Sequence, residues 1–171
     1  MNDQAEAVIR PLGLPGDLGW VVMAHGELYA TEFGWDTTFE ALVAQIVADY
    51  ANRHESSREA AWIAELDGVR VGCVFCVSED DDTAKLRILL VDPSGRGRGL
   101  GDRLVDTCVA FAAQAGYARV RLWTNHPLAA ARAIYLRRGF LLESEEPHHS
   151  FGVDLIGQVY QRDLRPDAVG A

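Results

Sequence analysis

The chain has 171 residues, about half of them hydrophobic and 24% charged, with a formal net charge of −9. That length suits one domain with a substantial core, and no stretch approaches the roughly 20 apolar residues of a membrane span. The acidic balance argues against nonspecific nucleic-acid binding, and residues 1–18 lack the basic-then-apolar order of a secretory leader.

In chain order, a first strand is expected over residues 5–12. Pro15-Gly16-Asp17 opens a stretch of mixed, partly helical signals that ends near Phe33-Gly34-Trp35. Thr37 and Glu40 have capping-box spacing, and Phe39, Leu42, Val43, Ile46, Val47 and Tyr50 follow with helical period, so the pattern predicts a helix over 38–53. Residues 60–66 and 69–78 are β-rich and joined by Asp67-Gly68, a hairpin signal. The acidic run 79–82 reads as a solvated turn, and 86–91 as a third antiparallel strand. A helix over 99–115 shows Leu100, Leu104, Cys108, Phe111 and Ala115 on one face and ends at Gly116. A strand over 119–124, a helix over 128–138 closed by Gly139, and two last strands at 140–144 and 155–164 around a loop 145–154 complete the chain. The order predicts an α+β fold with a mixed sheet, not a doubly wound one.

Cys73, Cys76 and Cys108 are an odd number and form no disulfide framework. On a strand, a spacing of three puts Cys73 and Cys76 on opposite faces, wrong for sharing a metal, so all three read as small core residues of a reducing compartment.

Charge is unevenly spread. Residues 85–138 hold ten of the sixteen basic side chains against three acids, a net +7, and leave the rest of the chain at −16. A basic segment inside an acidic protein points to an anionic ligand, with a chance cluster of solvated arginines as the alternative.

The segment Val91-Asp92-Pro93-Ser94-Gly95-Arg96-Gly97-Arg98-Gly99-Leu100-Gly101 lies between a predicted strand and a predicted helix. Its glycines let backbone approach a ligand closely. Free N–H groups and the positive end of the helix then converge, as a pyrophosphate requires, and Arg96 and Arg98 add charge. No Gly-Lys exists in the chain, which excludes a P-loop, and G-x-G-x-x-G fails from each glycine start. What fits is R-x-x-G-x-G, filled by Arg96, Gly99 and Gly101.

With that loop and the later Tyr135-Leu136-Arg137-Arg138-Gly139-Phe140, a Y-x-x-x-G-F ending, the sequence resembles the GNAT superfamily of acetyl-CoA-dependent N-acetyltransferases over about residues 5–164. The stretches HGELYATEFGWD, LRILLVDPSGRGRGLG, LWTNHPLAAARAIY and EEPHHSFG resemble most the acetyltransferase halves of fused MarR-type regulators. This chain has no room for their winged-helix half, so it would be a stand-alone relative or an excised domain.

The resemblance implies a mostly antiparallel central sheet with helices on both faces and a splayed strand pair, in a single domain spanning 1–171. It implies acetyl-CoA as co-substrate and no metal, with acetyl passing directly to a primary amine in a ternary complex. Leu90, Val91, Arg96, Gly97, Arg98, Gly99, Leu100 and Gly101 would hold the CoA pyrophosphate and pantetheine. Tyr135 would be the general acid for the departing thiolate and border the pantetheine.

Many relatives carry an Asn seven residues before that Tyr, where this chain has Leu128, and Asn125 is the candidate to take over part of the contact. They also place a Glu on the strand that here reads Lys85-Leu86-Arg87-Ile88-Leu89-Leu90, so the base must come from elsewhere. Glu27, Tyr29, Glu32, His148 and His149 are candidates, the two histidines from the closing loop. Glu27, Tyr29, Glu32 and Asp36 would border the acceptor cleft, or be a solvated helix face. Trp35 and Phe33 would wall the pocket or pack in the core. His126 is expected exposed, and His25 and His54 show no evident partner.

The expected partners are a CoA thioester and a small amine, an amino acid or antibiotic-like amine, with protein lysine open. Neither nucleic acid nor membrane is expected, a homodimer stays open, and the expected location is cytoplasmic. The rival readings are an acyl-CoA or small-molecule sensor without turnover and, more weakly, a nucleotide-binding protein.

Overall fold

The computed structural model describes residues 5–53 and 55–165. His54 lies outside them. The chain runs β1 (Ala7–Pro11), α1 (Asp17–Phe33), α2 (Thr37–Arg53), β2 (Ala60–Leu66), β3 (Val69–Ser78), β4 (Thr83–Val91), a turn of 3-10 helix (Pro93–Gly95), α3 (Leu100–Gln114), β5 (Arg119–Asn125), α4 (Ala129–Arg137), β6 (Leu141–Ser150) and β7 (Val153–Asp163). The α+β order expected from the sequence is the order found.

The seven strands form one sheet in the order β1-β2-β3-β4-β5-β7-β6. Every neighbouring pair is antiparallel except β4 and β5, which are parallel. Period-two alternation divides the core between the two faces. Helices α3 and α4 cover one, packing Leu100, Leu104, Cys108, Ala112 and Tyr135 over Val74, Cys76, Leu86 and Val120. Helices α1 and α2 cover the other, where Val21, Phe39, Val43 and Val47 meet Ile63, Cys73, Phe75 and Leu90. Cys73 and Cys76 fall on opposite faces as their spacing requires, and all three thiols are buried.

Two features of β4 make the cleft. Its pairing with β5 covers only Thr83–Lys85 opposite Arg119–Arg121, so the strands part beyond that point. β4 also bulges: Cys73 faces Leu90 and Phe75 faces Arg87, so Val74 alone opposes both Ile88 and Leu89. Ile88 takes φ +45°, a conformation that costs a β-branched residue about 1–3 kcal/mol. The extra residue reverses the alternation. Ala84, Leu86 and Leu89 belong to the α3 face, while Leu90 belongs to the α1–α2 face.

Two local expectations are corrected, while the acidic run 79–82 is the exposed turn expected. The loop expected at 145–154 is a continuous hairpin, because Phe151 and Gly152 at φ +58° and +81° form a two-residue turn that lets both strands extend. His148 and His149 therefore lie on β6 and not in an overhanging loop. The cap of α2 is Asp36, whose Oδ1 accepts from the Thr38 backbone N–H at 3.0 Å and from the Thr38 hydroxyl, in place of Thr37. The acidic turn is organised by Asp80, whose Oδ1 accepts from the Asp82 and Thr83 backbone N–H groups at 2.9 and 2.8 Å.

Among the described residues no helix is long and apolar enough to cross a membrane.

Candidate active site

The glycine loop leads from the end of β4 into α3. Gly99 caps α3 in the left-handed conformation, φ +69°, and no side chain caps the helix, so the N–H groups of its first turn are free for a ligand. Gly97 is left-handed too, at φ +76°, and a side chain there would meet nothing within 4 Å. Gly101 serves packing: a Cβ on it would lie 2.6 Å from Ile134 Cδ1, so its absence lets α4 close against α3.

A cavity of about 600 Å³ opens at this helix end. It is lined by Leu90, Val91, Arg96, Gly97, Gly99, Leu100 and Gly101 from the loop side, by Pro127 and Leu128 just before α4, by Ala129, Ala130, Ala131 and Ile134 of α4, and by Leu28, Glu32 and Phe33 from α1. All the loop residues singled out in the sequence converge here except Arg98, which is exposed beside it. The residues fit an extended ligand with an anionic end: free N–H groups and Arg96 at the loop, apolar walls beyond.

A second cavity, of about 170 Å³, adjoins the first where β4 and β5 part. Tyr29, Leu89, Leu128 and Ala131 line both. The second adds His25, Trp35 and Phe39 from the α1–α2 side, Lys85 and Arg87 from β4, Asn125 from β5, and Tyr135 from α4. Trp35 is buried in the core and lines this cavity as well.

Tyr135 is 5% exposed, and no described residue hydrogen-bonds its hydroxyl. Burial pushes the phenol far above its usual range, with Tyr29 and Cys108 adding to the shift, so it stays protonated. Burial likewise raises the Tyr29 phenol.

The other candidate residues divide. Asn125 lies in the second cavity, not the first. Its Oδ1 is 2.8 Å from His148 Nε2. A carbonyl oxygen only accepts, so Nε2 carries the proton and Nδ1 accepts from the Ser150 hydroxyl at 2.9 Å. His148 meets the Trp123 ring at a tilt of 46°, centroids 5.4 Å apart, and does not itself line the cavity, which it touches through Asn125 and Trp123. His149 points elsewhere, paired with Asp154 at 2.8 Å on the exposed side. Glu32 lines the first cavity, where its carboxylate accepts from Arg96 Nη2 at 2.5 Å. Glu27 is exposed and Asp36 is taken up by its cap.

Sequence reasoning passed over His25, which is 1% exposed and lines the second cavity. Its Nδ1–H donates to the Val21 carbonyl at 2.7 Å, which leaves Nε2 buried with no partner. Burial lowers its pKa to about 4, only partly offset by that hydrogen bond, so the ring is neutral. Its i, i+4 position behind Val21 on an apolar helix face was the available signal.

Among the described residues no group of three or more His, Cys, Asp or Glu is placed to hold a metal.

Comparison with known proteins gives this geometry a family context. The model of the acetyltransferase (GNAT) family matches residues 24–140. N-acetylaspartate synthetase of Danio rerio is 39% identical over 80 residues, 46% of this chain and 28% of that protein. The chain spans well under two thirds of the length of the first curated relatives it matches. The structure of an N-acetyltransferase from Staphylococcus aureus superposes with a TM-score of 0.75 at 19% identity, covering 94% of this chain and all of that one. A Salmonella typhimurium structure described as an acetyltransferase with its cofactor acetyl-CoA superposes with a TM-score of 0.74 at 20% identity, covering 95% and 96%.

Proposed function

The chain belongs to the acetyltransferase (GNAT) family, and on that premise we propose that it transfers acetyl from acetyl-CoA to the nitrogen of a primary amine by direct attack. One observation carries the reading: a glycine-loop cavity and a second cavity that holds Tyr135 share a boundary at the parting of β4 and β5.

The free N–H groups at the start of α3, with Arg96 and Arg98, hold the pyrophosphate. The unpaired edge of β4 around Leu90 and Val91 lies along the pantetheine and places the thioester at the shared boundary. A backbone N–H there faces the oxyanion of the tetrahedral intermediate. The amine nitrogen bonds to the acetyl carbon, the C–S bond breaks, the nitrogen gives up a proton to solvent, and the sulfur takes one. Tyr135 supplies that last proton. The burial that keeps the phenol protonated also raises the proton affinity of a thiolate released beside it, which favours the transfer.

Asn125, oriented by His148, borders the acceptor beside the thioester. Glu32 holds Arg96 at the loop and takes no proton. His149, exposed and paired with Asp154, has no part in the step. We place the whole chain in one domain and read it as nearest to the acetyltransferase halves of MarR-type regulators. The acceptor is a small amine or an amino acid, and the setting is the cytoplasm.

Amine-dependent release of free thiol from acetyl-CoA tests this. Tyr135→Phe keeps the ring and loses only the hydroxyl. Its kcat is expected to fall by about a hundredfold while acetyl-CoA binding is retained. A wild-type rate in that variant would remove Tyr135 from the chemistry.

A second reading, a sensor without turnover, is favoured by the absence of any carboxylate among the residues lining the second cavity. It predicts acetyl-CoA binding and no thiol release with any amine.

A further inference from the structure

The second cavity has a charge pattern that acetyl transfer alone does not explain. Carboxylates outnumber basic side chains 25 to 16 in this chain, yet among the described residues none lines that cavity, while Lys85 and Arg87 both do. They occupy the face of β4 opposite Ala84 and Leu86, turned toward α1 and α2. Both are partly buried, and each lacks an ion pair among the described residues.

The acids whose charge acts on them are committed elsewhere. Glu79, the acid whose charge reaches Lys85, pairs with Arg121 at 3.1 Å. Asp49, the one felt by Arg87, pairs with Arg53 at 2.7 Å and accepts from Gln45 at 3.0 Å. Desolvation lowers the pKa of both cations, and the charge of Arg87 lowers that of Lys85 further. Two half-buried cations without partners cost free energy that an anionic ligand group would recover.

The remaining lining is mostly apolar and aromatic, with His25, Thr124 and Asn125 as its uncharged polar members. Trp35 and Phe39 meet edge to face at 4.8 Å, and Tyr29 stands 4.7 Å from Phe39. His25 Nε2 adds an acceptor with no donor.

We propose that the acceptor is a small amine bearing a carboxylate on an apolar body, an amino-acid-like molecule, with Lys85 and Arg87 taking the carboxylate and Trp35 and Phe39 the apolar part. The inference rests on the acetyl-transfer reading and names its acceptor. It also accounts for the carboxylate base that β4 lacks. Two cations beside a bound ammonium favour its neutral form, so the free amine needed for attack is reached without a neighbouring acid.

Matched pairs test it: L-leucine against 3-methylbutylamine and L-phenylalanine against phenethylamine, each differing by the carboxylate alone. The wild type is expected to favour the acid by about tenfold or more in kcat/KM. In Arg87→Gln and Lys85→Gln that ratio should collapse toward one, mainly through KM of the acid, and Arg87→Lys should restore part of it. Amines used as well as their acids, or a preference that survives both substitutions, would overturn the proposal.

If acetyl-CoA binds and no amine is acetylated, the acetyl-transfer reading fails, and the pocket is then read by binding. Lys85 is the only lysine of the chain, so reductive ¹³C-methylation gives a single side-chain signal. A shift with L-leucine and none with 3-methylbutylamine supports the anion site, and no shift with either overturns it.

Discussion

At the scale of single residues, burial decides which groups are available for chemistry. Tyr135, the acid of the proposed reaction, lines the second cavity, and burial keeps its proton on. His25 shows the converse. Its folded pKa, about 4, lies below the unfolded value near 6.5. Between those values the unfolded chain binds a proton that the folded chain refuses. Stability is therefore full above about pH 6.5 and declines as pH falls toward 4, by about 3 kcal/mol from this residue. Urea denaturation at pH 7 and pH 4.5 should show the decline in the wild type and a shallower one in His25→Leu. Gly99 carries a different constraint. A side chain at φ +69° costs about 1–2 kcal/mol, so Gly99→Ala should weaken acetyl-CoA binding by up to about tenfold in calorimetry.

At the scale of elements, the start of α1 depends on one buried carboxylate. Asp17 is fully buried and accepts from Arg10 at 2.8 and 2.9 Å, from Arg70 at 2.8 Å, and from the backbone N–H groups of Gly13 and Leu14 at 2.9 and 2.8 Å. It ties α1 to β1 and β3, and the Arg10 guanidinium, followed by these other donors, holds its carboxyl well below the usual range. Asp17→Asn leaves two arginines poorly paired and should cost about 3 kcal/mol in urea denaturation. Because α1 contributes His25, Leu28, Tyr29 and Glu32 to the two cavities, acetyl-CoA affinity should fall with it.

Elements also mark where the sequence was legible. The glycine loop and the helix after it were readable because turn chemistry and helical period are local signals. The bulge of β4 was not: Ile88-Leu89 contains neither Gly nor Pro, and its left-handed residue is imposed by pairing with β3. The closing hairpin was misread for a related reason. Strand β6 is exposed along almost its whole length and so shows no alternation, and its turn, Phe151-Gly152, lacks the usual Asn or Asp.

At the scale of the whole molecule, the splay of one parallel pair in an otherwise antiparallel sheet organises the site. Of the ten basic side chains in the +7 segment 85–138, Arg103, Arg119 and Arg132 donate to the Ala7 carbonyl, the Thr83 hydroxyl and the His126 carbonyl, and the other seven have three uses. Arg96 and Arg98 sit at the loop. Lys85 and Arg87 sit in the second cavity. Arg121, Arg137 and Arg138 form ion pairs with Glu79, Glu143, Asp102 and Asp106. Composition left an anion and a chance cluster of solvated arginines both open, and it could not reveal that basic groups divide between two adjoining cavities, because that division depends on how β4 and β5 part. The pairing of His148 with Asn125 is hidden for the same reason: 23 residues separate them, and the register of β5, β7 and β6 brings them together.

In the proposed reaction, cofactor and acceptor occupy adjoining cavities that meet at the thioester. A conjugate joining the CoA sulfur through an acetyl bridge to the nitrogen of L-leucine spans both, and its affinity can be compared calorimetrically with that of CoA. Occupation of both cavities predicts binding tighter than CoA by about a hundredfold or more. A conjugate that binds no tighter than CoA would contradict the account.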